Sequence, residues 1–151
     1  MKYSTEIKVN APLEECIKKM DSVENMKHWQ RGLVSVAHIS GDLGQLGAKM
    51  QLTFKLGNRK MQVIETITKR NFPKEFHANY TTKSMHNVQK NYFEKTSDGF
   101  TKWISVSEFF PLNFMMRCML FIMPKAFKKQ SLKYMQDFKN FVEKGTSVAH
   151  A

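Results

Sequence analysis

Residues Thr101 to Gly145 read TKWISVSEFFPLNFMMRCMLFIMPKAFKKQSLKYMQDFKNFVEKG, and the hydrophobic period changes inside that run. Up to Phe110 the period is two. Trp103 and Phe109 fall on one face, and the same phasing adds Ser105 and Ser107 to it. After Pro111 the period lengthens. Phe127, Tyr134, Phe138, Phe141 and Val142 recur at helical spacing, with Lys128, Lys129, Lys133 and Lys139 between them. Proline breaks or kinks a helix interior. Pro124 therefore divides the region into a helical segment near 112–122 and a long helix near 125–144. Gly145 suits a helix stop. Thr146 to Ala151 are expected to form a flexible, frayed tail beyond a single domain of residues 1–145.

Toward the N-terminus the period of two dominates. Tyr3, Thr5, Ile7 and Val9 alternate with Lys2, Ser4, Glu6 and Lys8, which gives a first strand. Asn10-Ala11-Pro12 then ends the strand and opens a helix, with Asn10 suited to the N-cap and Leu13, Ile17 and Met20 as its apolar stripe. Residues 23–32 read as a connector holding Trp29. Strand-like runs follow at 33–40, 48–56, 60–70, 75–83, 86–95 and 101–110. The clearest sets Met50, Leu52, Phe54 and Leu56 against Lys49, Gln51, Thr53 and Lys55. Turns at Gly41–Gly47, Gly57-Asn58, Asn71-Phe72-Pro73 and Ser97-Asp98-Gly99 separate them. Short links between consecutive strands imply an antiparallel meander. The order is strand, helix, six strands, long helix. One sheet has one apolar face to cover, and the terminal helix is the only large cover. A space between a curved sheet and a single helix follows from that geometry.

Bulk composition restricts the function classes. The chain has 151 residues with a net charge of +11, 11 Met and 12 Phe. The charge points to an acidic partner or a general surface field. Arg31, Arg59, Arg70 and Arg117 are the only arginines. Nucleic-acid readers favour Arg, and no aromatic RNA-stacking motif is present, so nucleic acid is not an expected partner. Cys16 and Cys118 form no C-x-x-C pair and read as buried thiols. His28, His38, His77, His86 and His150 show no metal-ligand spacing and read as surface or turn residues. No metal or cofactor is expected. Met1 to Asn10 has no apolar core of a signal peptide, and Leu112–Met123 is too short to span a bilayer, so the expected location is cytoplasmic.

The whole order resembles the START-like or helix-grip superfamily, also called SRPBCC or polyketide cyclase/dehydrase-like. The resemblance rests on Val9-Asn10-Ala11-Pro12, on Asp21 with Trp29, on the Gly41…Gly47 turn before Ala48–Leu56, on Phe72-Pro73, and on the Gln130…Leu132…Phe138…Phe141-Val142-Glu143 helix. It implies an α+β fold in which about seven antiparallel strands wrap a long C-terminal helix, with a short helical segment after the first strand. It also implies an internal cavity for apolar or amphipathic small molecules, and no single reaction.

Turning the apolar face of each strand inward selects Phe54, Phe76, Tyr80, Phe93, Trp103 and Phe109. The same phasing brings in Glu65, Asn87, Gln89, Asn91, Ser105 and Ser107. A few polar groups among aromatics suit a ligand cavity. For 86–95 the opposite face, Val88, Lys90, Tyr92 and Glu94, is a competing choice. The candidate ligand-binding set is Phe54, Phe76, Tyr80, Asn91, Phe93, Trp103, Ser105, Ser107 and Met119. Glu65 is the one candidate acid or base, because a carboxyl on an apolar face has a raised pKa. A one-residue register slip would turn it outward.

Phe114–Met123 is apolar around most of its circumference and precedes Lys125, Lys128, Lys129 and Lys133. It either completes the core, or caps the cavity mouth, or meets a second subunit or an anionic membrane. The leading expectation is a monomer or weak homodimer that binds, and in one version transports, a hydrophobic small molecule such as a lipid. The alternatives are a cyclase or dehydratase-type enzyme on a polyketide-like or aromatic substrate, with Glu65 as base and Tyr80 or Asn91 orienting a carbonyl, and a basic protein that docks on anionic membranes.

Overall fold

The computed structural model describes residues 1–149. The elements are β1 (Lys2–Val9), α1 (Leu13–Met20), α2 (Met26–Trp29), β2 (Leu33–Ser40), β3 (Lys49–Leu56), β4 (Arg59–Asn71), β5 (Glu75–Thr81), β6 (Met85–Lys95), β7 (Thr101–Pro111), α3 (Phe114–Ile122) and α4 (Pro124–Lys144). The strands form one seven-stranded sheet in the order β1-β7-β6-β5-β4-β3-β2. Every neighbouring pair is antiparallel. The meander β2 to β7 is closed at its far edge by β1, so α1 and α2 carry the chain from one edge of the sheet to the other. This is the expected helix-grip α+β arrangement.

Local chemistry explains most boundaries and corrects some. Asn10 does not cap α1. The helix starts at Leu13 behind Pro12, whose carbonyl accepts from the Glu15 and Cys16 N–H groups. A residue before proline is driven out of the helical region, which keeps Ala11 outside the helix. The Asn10 N–H donates instead to Glu143 Oε2 at 2.8 Å. The connector contains α2, whose approach is shaped by the Asn25 N–H donating to Ser22 Oγ at 3.2 Å. Asn113 Oδ1 accepts from the Met116 N–H at 2.8 Å and caps α3. Pro124 stands at the first turn of α4, and Gly145 ends that helix in the left-handed region at φ 69°.

The tail is not frayed over 146–149. Val148 is buried, its N–H donates to the His28 carbonyl at 3.0 Å, and Ser147 Oγ pairs with His28 Nδ1 at 2.7 Å. A buried valine and two bonds to α2 hold this segment down. His150 and Ala151 lie outside the described residues.

A domain of this size usually has one contiguous core, but here the buried apolar side chains fall into two clusters. One gathers Val9, Cys16, Trp29, Phe93, Trp103, Met135, Phe138 and Val142 under the C-terminal half of α4. The other gathers Met26 of α2 with Leu33, Met50, Leu52, Phe54 and Val63 of β2–β4. The helix covers only part of the sheet, and the two clusters stand on either side of the remaining space.

Ion pairs join the elements around it. Arg31, between α2 and β2, reaches buried Asp137 of α4 with two bonds at 3.2 and 3.1 Å. Asp137 is 8% exposed and Arg31 37%. Removing the guanidinium strands a buried acceptor. Arg31→Ala is therefore expected to lower the unfolding free energy by about 1–3 kcal/mol in urea titration. Arg31→Ala with Asp137→Asn is expected to recover part of that loss. A loss in the double variant equal to the sum of the Arg31→Ala and Asp137→Asn losses would show that the two groups are not coupled.

Candidate functional site

Alternation along the strands decides which side chains look at α4. β3 presents Met50, Leu52 and Phe54, and β4 presents Val63, Glu65 and Ile67, all buried. The register carries the pattern across. Glu65 faces Met50 on one side and Tyr80 on the other, and Tyr80 faces Asn87. Glu65, Tyr80 and Asn87 thus make one cross-strand row. Thr5, Ser105 and Asn91 make a second. β6 turns Asn87, Gln89, Asn91 and Phe93 inward, so the competing face of that strand is the outer one.

Between the sheet and α4 lies a cavity of about 930 Å³. Ligand cavities commonly span about 300–1,000 Å³. Its walls include Phe54, Glu65, Phe76, Tyr80, Asn91, Trp103 and Ser105 from the sheet. Seven sequence-selected residues therefore meet in one place. The polar groups form a strip on an otherwise apolar wall. Trp103 Nε1 donates to Asn91 Oδ1 at 3.0 Å. Gln89 Nε2 donates to Asn87 Oδ1 at 2.9 Å, and Asn87 Nδ2 donates to the Glu108 carbonyl at 3.1 Å. The strip is thus held in place by its own bonds. The Trp29 indole N–H, buried in the wall, has no hydrogen-bond partner among the described residues.

Glu65 is 5% exposed. Burial pushes its carboxyl above the usual range, and the neighbouring Tyr80 phenol pulls it back only in part. Tyr80 keeps some ring surface on the cavity but is enclosed by protein. Burial first, and the nearby carboxylate second, push its phenol well above the ordinary value. The pair is a proton-holding site inside an apolar chamber.

Three expected residues are not in the wall. Phe93 stacks on Trp103 at 6.1 Å and belongs to the closed cluster, because the C-terminal half of α4 covers that end of β6. Ser107 is buried on the correct face, in the cross-strand row of Tyr3 and Gln89, but does not reach the cavity. Met119 is 41% exposed on the outer side of α3, and Met116 reaches the cavity instead. A helix apolar around most of its circumference has no periodic mark to tell those two apart.

Sequence reasoning also missed the floor that α2 and α4 supply. Trp29, Gln130, Ser131, Tyr134 and Met135 line the cavity. The 127/131/134 spacing on α4 is the mark that leads to them. The Tyr3 hydroxyl pairs with Ser131 Oγ at 2.6 Å and donates to the Phe127 carbonyl at 3.0 Å, which fixes that half of α4 against the sheet edge. At the opposite side, Arg70 forms a forked pair with Asp21 and donates to the Gly44 carbonyl at 3.0 Å. It ties the end of α1 to the β2–β3 turn.

Two histidine and cysteine readings change. His77 is buried rather than superficial, and its Nδ1 accepts from the Asn91 N–H at 3.1 Å. Cys118 is only partly buried, while Cys16 is buried as expected. Among the described residues, no three His, Cys, Asp or Glu side chains stand together as a metal site. No helix among them is long and apolar enough to cross a membrane.

Solved structures share this architecture. A conserved protein from Geobacillus kaustophilus superposes with TM-score 0.78 at 12% identity, covering 97% of this chain and 97% of that one. A protein from Thermus thermophilus gives TM-score 0.76 at 9% identity, with 97% and 100% covered. Ara h 8.0201, a helix-grip protein, gives TM-score 0.73 at 14% identity, with 94% and 97% covered. At these identities the likeness is one of fold. No protein-family model matches the sequence, and no curated protein does.

Proposed function

We propose, taking the helix-grip fold as premise, that the protein binds one hydrophobic or amphipathic small molecule of lipid type between sheet and α4 and carries it unchanged. The observation that carries this reading is the cavity of about 930 Å³ between two separate apolar clusters, with a polar strip on one wall. The apolar walls supply affinity through burial, at about 25 cal/mol per Å² of surface. Asn91, Ser105 and the unpartnered Trp29 N–H suit the ligand's polar end. Likeness to a fold whose members bind hydrophobic ligands supports the same reading.

Titration with Nile red, a neutral apolar dye, tests it. Saturable one-to-one binding with dye emission shifted to the blue is expected. Ser105→Trp projects a large ring into the chamber and is expected to weaken dye binding at least about tenfold, a loss of about 1.4 kcal/mol. No saturable binding, or equal binding by wild type and Ser105→Trp, would overturn the proposal. Native mass spectrometry of protein isolated without organic solvent then gives the mass of the natural ligand.

The position of Glu65 beside Tyr80 favours a second reading. A carboxyl with a raised pKa in an apolar chamber suits general acid or base work on a bound carbonyl compound. Under that reading the enzyme is of the cyclase or dehydratase type, with Glu65 moving the proton and Tyr80 or Asn91 orienting the oxygen. Turnover of a bound substrate that disappears in Glu65→Gln, with dye binding retained, separates the two.

A further inference from the structure

The outer face of α3 is built for a partner that is apolar and anionic at once. Phe114, Met115, Phe121 and Ile122 are 80, 75, 89 and 73% exposed. They cluster on one side of the helix, and the opposite side turns Met116 toward the cavity. Contiguous exposed apolar side chains of this size mark an interaction surface. The helix end is not loose, because the Asn113 cap fixes its first turn.

The lysines begin where the apolar run stops. Met123 ends α3 and directly precedes α4. Lys125, Lys129 and Lys133 are exposed and follow one another at four-residue spacing, with Lys128 beside them. From Leu112 to Gln136 the chain carries Arg117 and these four lysines and no Asp or Glu. None of the five is in an ion pair among the described residues.

We propose that α3 and the lysine row of α4 dock the protein on an anionic lipid bilayer. The aromatic and Met side chains enter the boundary between headgroups and acyl chains, and the lysines meet the lipid phosphates. Charge argues against the other natural occupant, a second copy. A two-fold dimer brings a patch against itself, which here would oppose five cations with five cations. The bilayer satisfies both halves of the surface. It would also lie against a helix that contributes Met116 to the cavity wall. The proposal does not depend on what occupies the cavity.

The test is flotation with vesicles of phosphatidylcholine alone and of phosphatidylcholine with phosphatidylglycerol, at low and high salt. Expected is binding to the anionic vesicles that falls at least about tenfold as salt screens the lysines. Little binding to the neutral vesicles is expected. Phe121→Asp is expected to reduce binding at least about tenfold. The triple Lys125→Glu, Lys129→Glu, Lys133→Glu variant is expected to reduce it about a hundredfold, roughly fivefold for each lysine. Leu46→Asp, equally apolar and exposed on the β2–β3 turn, is expected to leave binding unchanged. Unaltered urea midpoints in the variants show that the fold is intact. Failure to float on anionic vesicles at low salt, or equal flotation of the wild type and both patch variants, overturns the proposal. So does a dimer in sedimentation equilibrium that Phe121→Asp splits while vesicle binding is unaffected.

Discussion

Phe138→Ala is expected to lower the unfolding free energy by about 3–5 kcal/mol, measured by urea or guanidinium titration. Phe138 is 1% exposed. Its ring meets Trp29 edge-on at 5.1 Å and Trp103 edge-on at 5.3 Å, and Trp29 meets Trp103 edge-on at 6.2 Å. Three elements are thus joined through one side chain: α4, α2 and β7. Truncation removes the transfer energy of a phenyl ring and two aromatic contacts worth about 0.5–1.5 kcal/mol each. Neighbouring strands cannot close the gap, because the register on both sides of Trp103 is fixed by β1 and β6. The void would instead extend the chamber through Trp29 and Trp103, which line it. Phe138→Leu is expected to recover more than half of the loss. A Phe138→Ala loss below about 1 kcal/mol would mean that this end of α4 is not what closes the fold.

The contrast between Trp103, which lines the cavity, and Phe93, which does not, shows what a sequence of this kind reveals. Both are read as inward-facing from period alone, and both are buried. Whether an inward residue lines the cavity or closes the core depends on how far along α4 it lies, and period carries no such information. The helix covers Phe93 and leaves Phe76, Tyr80 and Ser105 facing open space. The seven strands and α4 are readable because each repeats its period many times. The four-residue α2 repeats nothing, so its period cannot place Trp29 on the cavity floor. The β6 face is ambiguous for a different reason. Asn87, Gln89, Asn91 and Phe93 are no more apolar than Val88, Lys90, Tyr92 and Glu94. Pairing decides it, since Asn91 sits opposite Ser105 and Phe93 opposite Trp103. The polar strip of the site is therefore a product of register, which only the folded sheet supplies.

Glu65→Leu is expected to stabilise the protein by about 1–3 kcal/mol at neutral pH while impairing its function. Glu65 is held between Met50 and Tyr80, and burial raises its pKa above the ordinary carboxylate value. The unfolded chain releases this proton in the ordinary range, whereas the native protein still holds it. Above that range the native state binds more protons than the unfolded state, so stability falls as pH rises until the native carboxyl has also ionised. Asp98 acts in the opposite direction and on the acid side, since Lys8 and then Thr96 hold it down to about 2. The two effects therefore occupy separate windows. Urea titrations at several pH values above the ordinary carboxylate range are expected to show declining stability in wild type and a flatter profile in Glu65→Gln and Glu65→Leu. An unchanged slope in both variants would mean that Glu65 ionises freely, and the acid or base role would lose its basis. If the slope flattens, stability and function can be weighed on one side chain. A residue that lowers stability at neutral pH serves something other than the fold. For a carrier, Glu65→Leu keeps Nile red binding and weakens retention of the natural ligand. For an enzyme, Glu65→Gln keeps that ligand bound and stops its conversion.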